Sequence, residues 1–67
     1  MYNVQDFLNT LDNAGSLIYI TINGEPIFKG KQIDFGILEE NSKYMGCNIW
    51  RLSIFEDKYL WIDIDNK

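Results

Sequence analysis

From Asn48 to Asp65 apolar side chains recur at every second position on both sides of a short polar break. Trp50, Leu52 and Ile54 interleave with Ile49, Arg51, Ser53 and Phe55. Beyond Glu56-Asp57-Lys58, Leu60, Ile62 and Ile64 interleave with Tyr59, Trp61 and Asp63. Successive side chains of a strand point to opposite faces, so two such runs joined by a polar loop predict an antiparallel hairpin. A loop over Glu56-Asp57-Lys58 pairs Phe55 with Tyr59, Ser53 with Trp61 and Arg51 with Asp63. The other face then pairs Ile54 with Leu60, Leu52 with Ile62 and Trp50 with Ile64. One face is apolar throughout, while the other carries an ion pair among aromatics. A slip by one residue would mix the two, so the pattern selects its own register.

Upstream, Val4, Phe7, Leu8 and Leu11 recur at helical spacing and predict an amphipathic helix from Asn3 to about Asp12. Asn3 is placed to cap its first turn, with Asp6 near the positive helix end. Asn13-Ala14-Gly15 supplies the stop. Leu17 to Ile22 is a second alternating run, and Asn23-Gly24 after it is the preferred pair for a type I′ turn. Glu25 to Gly30 returns as the partner strand, and Pro26 marks that strand as an edge. A two-residue turn sets Ile22 against Glu25, Thr21 against Pro26, Ile20 against Ile27, Tyr19 against Phe28 and Ile18 against Lys29.

Residues 31–46 admit two readings. Ile33, Phe35 and Ile37 alternate as in a short strand, and the stretch from Leu38 to Tyr44 suits a short helix or turn ended by Gly46. The expected fold is a single α+β domain over residues 1–67. Its N-terminal helix packs on one face of a small antiparallel sheet made of two β-hairpins.

A chain of 67 residues has a thin core. Its margin of stability is about 3–5 kcal/mol unless a disulfide, a metal or a second chain adds to it. Cys47 is the lone cysteine and histidine is absent, so an internal disulfide is excluded and a structural zinc is not expected. A homodimer through the sheets remains as the available support. The net charge of −4 disfavours nonspecific binding to nucleic acid or anionic lipid, and favours a solvated surface or a basic protein surface as partner. No apolar run approaches the length of a membrane span, and Met1-Tyr2-Asn3 lacks a basic leader, so a cytoplasmic location with a reduced thiol is expected.

The catalytic signals are weak. Without histidine the commonest general base is missing, and Cys47 has no imidazole to activate it, so it reads as a small core or edge thiol. Asp34-Phe35-Gly36 spells a kinase tripeptide, but every other kinase motif is lacking. Asp63, Asp65 and Asn66 begin like a calcium loop that is not completed. No enzyme activity, metal or cofactor is expected.

The aromatic residues are the stronger signal. Tyr19, Phe28, Phe55, Tyr59 and Trp61 are placed to share one sheet face, the arrangement with which several single-strand binders stack bases. Those modules frame their rings with basic residues, whereas this face offers only Lys29 and Arg51. If the helix covers Ile20, Ile27, Leu52, Ile54, Leu60 and Ile62, then Tyr19, Phe55, Tyr59 and Trp61 are left toward solvent as a contact surface. The bland reading has residues 31–46 fold over that face and complete a second small core. Glu39, Glu40, Glu56, Asp57, Asp63 and Asp65 can be read as a phosphate-mimicking surface, or simply as solubilising charge.

An N-terminal amphipathic helix, then Ile18 to Lys31, then the strand pair Trp50–Ile54 and Leu60–Ile64: this layout resembles small hypothetical proteins of phages and prophages in low-GC Gram-positive bacteria. The resemblance covers nearly the whole chain, by pattern. It implies an accessory role, such as binding and blocking a host or defence protein in the manner of anti-CRISPR proteins, and it carries over no site residues. The function expected is a noncatalytic protein-interaction module. Trp61, Tyr59, Phe55, Tyr19, Phe28, Glu56 and Asp57 form its partner-binding surface. Single-stranded nucleic-acid binding through the same rings, or a structural role in a phage particle, are the alternatives.

Overall fold

The computed structural model describes residues 3–11 and 15–65. The chain is α+β, with a four-stranded sheet and short helices. Helix α1 spans Val4–Asn9, strands β1 and β2 span Leu17–Ile22 and Glu25–Lys31, and helix α2 spans Gln32–Ile37. A 3-10 helix, Glu39–Tyr44, leads to strands β3 (Asn48–Phe55) and β4 (Tyr59–Asp65). The expected helix thus ends earlier than the apolar spacing suggested, and its expected last residue, Asp12, with Asn13 and Ala14 of the expected stop, lies outside the described residues.

The first turn of α1 is anchored on all sides. Asn3 accepts from the Asp6 amide at 2.8 Å, and the amides of Val4 and Gln5 donate to the carbonyls of Cys47 and Met45, each at 3.0 Å. Amides that a short helix cannot satisfy internally are therefore paired with the approach to β3.

The sheet order is β2-β1-β4-β3, and the expectation of a wholly antiparallel sheet is corrected. Both hairpins form, but β1 and β4 run parallel, with Ile18 beside Leu60, Ile20 beside Ile62 and Ile22 beside Ile64. The central strands carry the fully buried isoleucines, Ile18 and Ile20 in β1 and Ile62 and Ile64 in β4. The strand with Pro26 and three charged residues is an edge, as expected. Parallel neighbours need a long crossover, and α2 with the 3-10 helix supplies it.

The core lies between the helices and one sheet face. Val4, Leu8, Ile18, Ile20, Phe35, Cys47, Ile49, Ile62 and Ile64 form one buried cluster, with Tyr44 and Met45 packed against it. Residues 31–46 therefore fold onto the same side as α1. The alternating strand read over Ile33, Phe35 and Ile37 is instead α2, whose Phe35 is fully buried and meets Phe28 edge-on at 5.1 Å. Asn41, itself buried, donates to the Phe35 carbonyl at 3.2 Å and closes that helix end.

Two bulges re-sort the faces. In β2 the expected pairs hold at Ile22–Glu25 and Thr21–Pro26, then the register shifts, so Phe28 lies opposite Ile20 and Lys29 opposite Tyr19. In β3 five of the expected pairs hold, from Phe55–Tyr59 to Arg51–Asp63, but Ile49 rather than Trp50 meets Ile64. Trp50 is the extra residue of this bulge, and it lies 57% exposed with its ring 5.4 Å from the Arg51 guanidinium carbon. Leu52 and Ile54 are on the helix side by their pairing, yet stay 47% and 61% exposed, because the helices do not reach over the β3 edge.

The β3–β4 turn is strained. Glu56 and Asp57 hold φ of 54° and 59°, the left-handed geometry that Asn23 and Gly24 adopt with better-suited residues in the first hairpin. Asp57→Gly is expected to stabilise the fold by about 0.5–1 kcal/mol. The urea midpoint should rise, and an unchanged or lower midpoint would mean that the turn carries no such strain. Among the described residues, no helix is long and apolar enough to cross a membrane.

Candidate functional site: an aromatic face on the open side of the sheet

Strand alternation sends the side chains between the core isoleucines to the opposite side of the sheet. There the central strands bring Tyr19 beside Trp61 and Thr21 beside Asp63, and β3 adds Phe55 beside Tyr59. The four rings are half-buried and linked through Phe55, which meets each of the other three. Tyr19 stacks on Phe55 with centroids 4.2 Å apart, while Trp61 stands 5.8 Å from Tyr19 and 5.7 Å from Phe55. Tyr59 completes the group at 6.3 Å from Phe55. The three tilted or edge-on pairs fall at the separations of mutually favourable aromatic pairs, and the stacked pair is closer still.

Below the rings is a polar network of which the sequence pattern announced only the Arg51–Asp63 pair. Thr21 is fully buried and Asp63 is 3% exposed. The Thr21 hydroxyl donates to Asp63 Oδ1 at 2.7 Å and accepts from the Trp61 indole N–H at 3.0 Å. Arg51 Nη2 reaches Asp63 Oδ2 at 3.1 Å, the expected ion pair, with its guanidinium carbon 4.9 Å from the centre of the Trp61 ring. Each oxygen of the buried carboxylate thus has a donor, which is what allows a charge to sit there. Trp61 is held in place by its own nitrogen.

The rim carries charge. Lys29 Nζ lies 5.6 Å and 5.2 Å from the ring centres of Phe55 and Tyr59, and 3.4 Å from Glu56. That ion pair is exposed at both ends, so it orients side chains more than it stabilises them. Asp57 stands exposed at the turn next to Glu56. Of the seven residues assigned to the surface, the structure gathers Tyr19, Phe55, Tyr59 and Trp61 and sets Glu56 and Asp57 at their edge. Phe28 is corrected: the bulge turns it to the helix side, where it packs against Phe35.

The other candidates disperse. Glu39 and Glu40 belong to the 3-10 helix in the helical layer and Asp63 is buried and paired, so these acids form no continuous phosphate-like surface with Glu56 and Asp57. Asp34 is exposed on α2 while Phe35 beside it is core. Cys47 is buried, and its thiol donates to the Lys43 carbonyl at 3.9 Å. Among the described residues no three cysteine or carboxylate side chains come together as a cation site, and Asn66 lies outside them. A shallow groove of about 290 Å³ runs between α1 and α2, where Ile33 and Ile37 lie exposed.

No family model matches the chain, nor does any curated protein or solved structure.

Proposed function

We propose that the chain is a noncatalytic interaction module that docks a protein partner on the face formed by Tyr19, Phe55, Tyr59 and Trp61. Its role, on the phage-like layout of the sequence, is that of an accessory protein that binds and blocks a host or defence protein. The observation that carries this reading is the continuity of four half-buried rings on the sheet face opposite the helices. Aromatic side chains give much contact area for little lost side-chain freedom, and rings already packed together have less to lose on binding. The net charge of −4, with Glu56 and Asp57 at the rim, favours a partner with a basic surface.

The test compares faces. A protein captured from bacterial lysate by the wild type and by Ile37→Ser, but lost by about 10-fold or more with Phe55→Ser or Tyr59→Ser, supports docking on the rings. Equal capture by all four proteins would remove the reading. Binding should also weaken as salt rises, since the partner is drawn by charge.

A second reading rests on the cations set against rings, Lys29 by Phe55 and Tyr59 and Arg51 by Trp61, the combination that single-strand binders use. Those two cations are already held by carboxylates, Glu56 and Asp63, which leaves Lys58, 5.3 Å from the Tyr59 ring centre, to face phosphates on a chain of net charge −4. Quenching of tryptophan fluorescence by a thymidine oligonucleotide at low salt would move the assignment to this reading; absence of quenching retires it.

A further inference from the structure

The two edges of the sheet are not alike. Strand β2 is guarded by Pro26, by a register shift, and by Glu25, Lys29 and Lys31, all devices that discourage a further strand from pairing. Strand β3 is the longer, with one charged residue, Arg51, and no acid from Asn48 to Phe55. Among the described residues only Asn3 bridges its outer side, at Asn48. Beyond the bulge, from Arg51 to Phe55, the edge runs open, with Leu52 and Ile54 uncovered beside it. An open apolar edge with unpaired amides and carbonyls is a template for another strand.

We propose that this edge pairs with β3 of a second copy of the chain, antiparallel and centred on Ser53, to make a continuous eight-stranded sheet. The segment Arg-Leu-Ser-Ile-Phe from Arg51 to Phe55 is its own complement in that register. Leu52 meets the partner's Ile54 and Ile54 meets the partner's Leu52, which closes four exposed aliphatic side chains into one patch. On the other face Arg51 lies against the partner's Phe55, with the partner's Glu56 next along the chain. The two-fold axis repeats that contact, so the only charge on each strand is set beside an acid of the other copy. No like charges face each other, and a chain of this size gains core that it lacks alone. An antiparallel pair related in this way keeps the faces of the sheet in common. Both sets of rings therefore lie on one side and both helical layers on the other. The pairing does not depend on the rings binding anything.

Sedimentation equilibrium over micromolar to millimolar concentrations is expected to show a species of twice the 7.9 kDa chain mass. Leu52→Glu with Ile54→Glu places acids opposite acids and should weaken association by roughly 100-fold. Leu52→Lys with Ile54→Glu restores opposite charges in the Ser53-centred register and should bring the dimer back. Because both sites are exposed, circular dichroism of each variant should match the wild type. In a mixture of isotope-labelled and unlabelled wild-type chains, contacts between Leu52 and Ile54 methyls across copies should appear without any substitution. A wild type that stays at single-chain mass overturns the pairing, and so does an acid-substituted variant that still dimerises. Failure of the charge-paired variant to recover, with no cross-copy Leu52–Ile54 contacts, overturns it as well. A monomer would still leave the aromatic face open to its own capture test.

Discussion

Phe35→Ala is expected to leave little folded protein at room temperature. The ring is fully buried and bridges α2 to the core isoleucines, with Phe28 edge-on at 5.1 Å. Emptying such a site costs about 3–5 kcal/mol, through lost burial and the cavity left behind. A domain of this size commands about 3–5 kcal/mol in total, so one substitution removes most of the margin. A urea titration followed by near-ultraviolet circular dichroism should show the midpoint falling toward zero denaturant. Phe55→Ala, on the open face and only half-buried, should cost clearly less. A loss below about 1 kcal/mol for Phe35→Ala would mean that residues 31–46 do not pack on the helix side. The aromatic face would then lose its claim to be the uncovered one. The two substitutions together thus measure which side of the sheet is core.

Local pairing was legible in the sequence, and long-range topology was not. Period-two alternation specified five pairs of the β3–β4 hairpin, because a slip would have moved every side chain to the wrong face. The same alternation is silent about bulges. Nothing in Asn-Ile-Trp-Arg says that Trp50 is the extra residue, and nothing in Pro-Ile-Phe says that Ile27 shifts the register and sends Phe28 to the core. The parallel pairing of β1 with β4 did leave a trace, in the length of the connection. Were the two hairpins joined antiparallel, β3 would start at the same end of the sheet at which β2 finishes, and the chain would not need to climb its length. Residues 32–47 instead carry the chain to the opposite end of the sheet, which is a crossover length. The rings of Phe55, Tyr59 and Trp61 followed from alternation alone, whereas Tyr19 joins them through the pairing of β1 with β4. The Thr21–Asp63–Trp61 network did not follow from alternation, because it joins strands far apart in sequence whose adjacency depends on that parallel pairing.

That network is where the second large effect is expected. Thr21→Val keeps the shape of a fully buried side chain and removes its oxygen. Asp63 Oδ1 then loses its donor in a site closed to water, and the Trp61 N–H loses its acceptor. A hydrogen bond to a buried charged group is worth about 1.5–3 kcal/mol, so the fold should weaken by about 2–3 kcal/mol in urea unfolding. Such a loss alone could come from any fault in the core, and a double-mutant cycle with Trp61→Phe separates the causes. If the hydroxyl holds the indole, Thr21→Val should cost less by about 0.5–1 kcal/mol once the indole nitrogen is gone. Additive costs would show that the bond at 3.0 Å is incidental. The consequence for binding follows from the same geometry. A ring free to turn must be ordered again when a partner arrives, whereas a ring fixed by its nitrogen to Thr21 presents its face without that cost. In a Trp50→Phe background, Thr21→Val should therefore raise the mobility of Trp61, read as a fall in its fluorescence anisotropy. Partner capture should weaken in parallel while Tyr19, Phe55 and Tyr59 stay in place. Unchanged anisotropy would mean that stacking against Tyr19 and Phe55, rather than the buried carboxylate beneath, sets the surface.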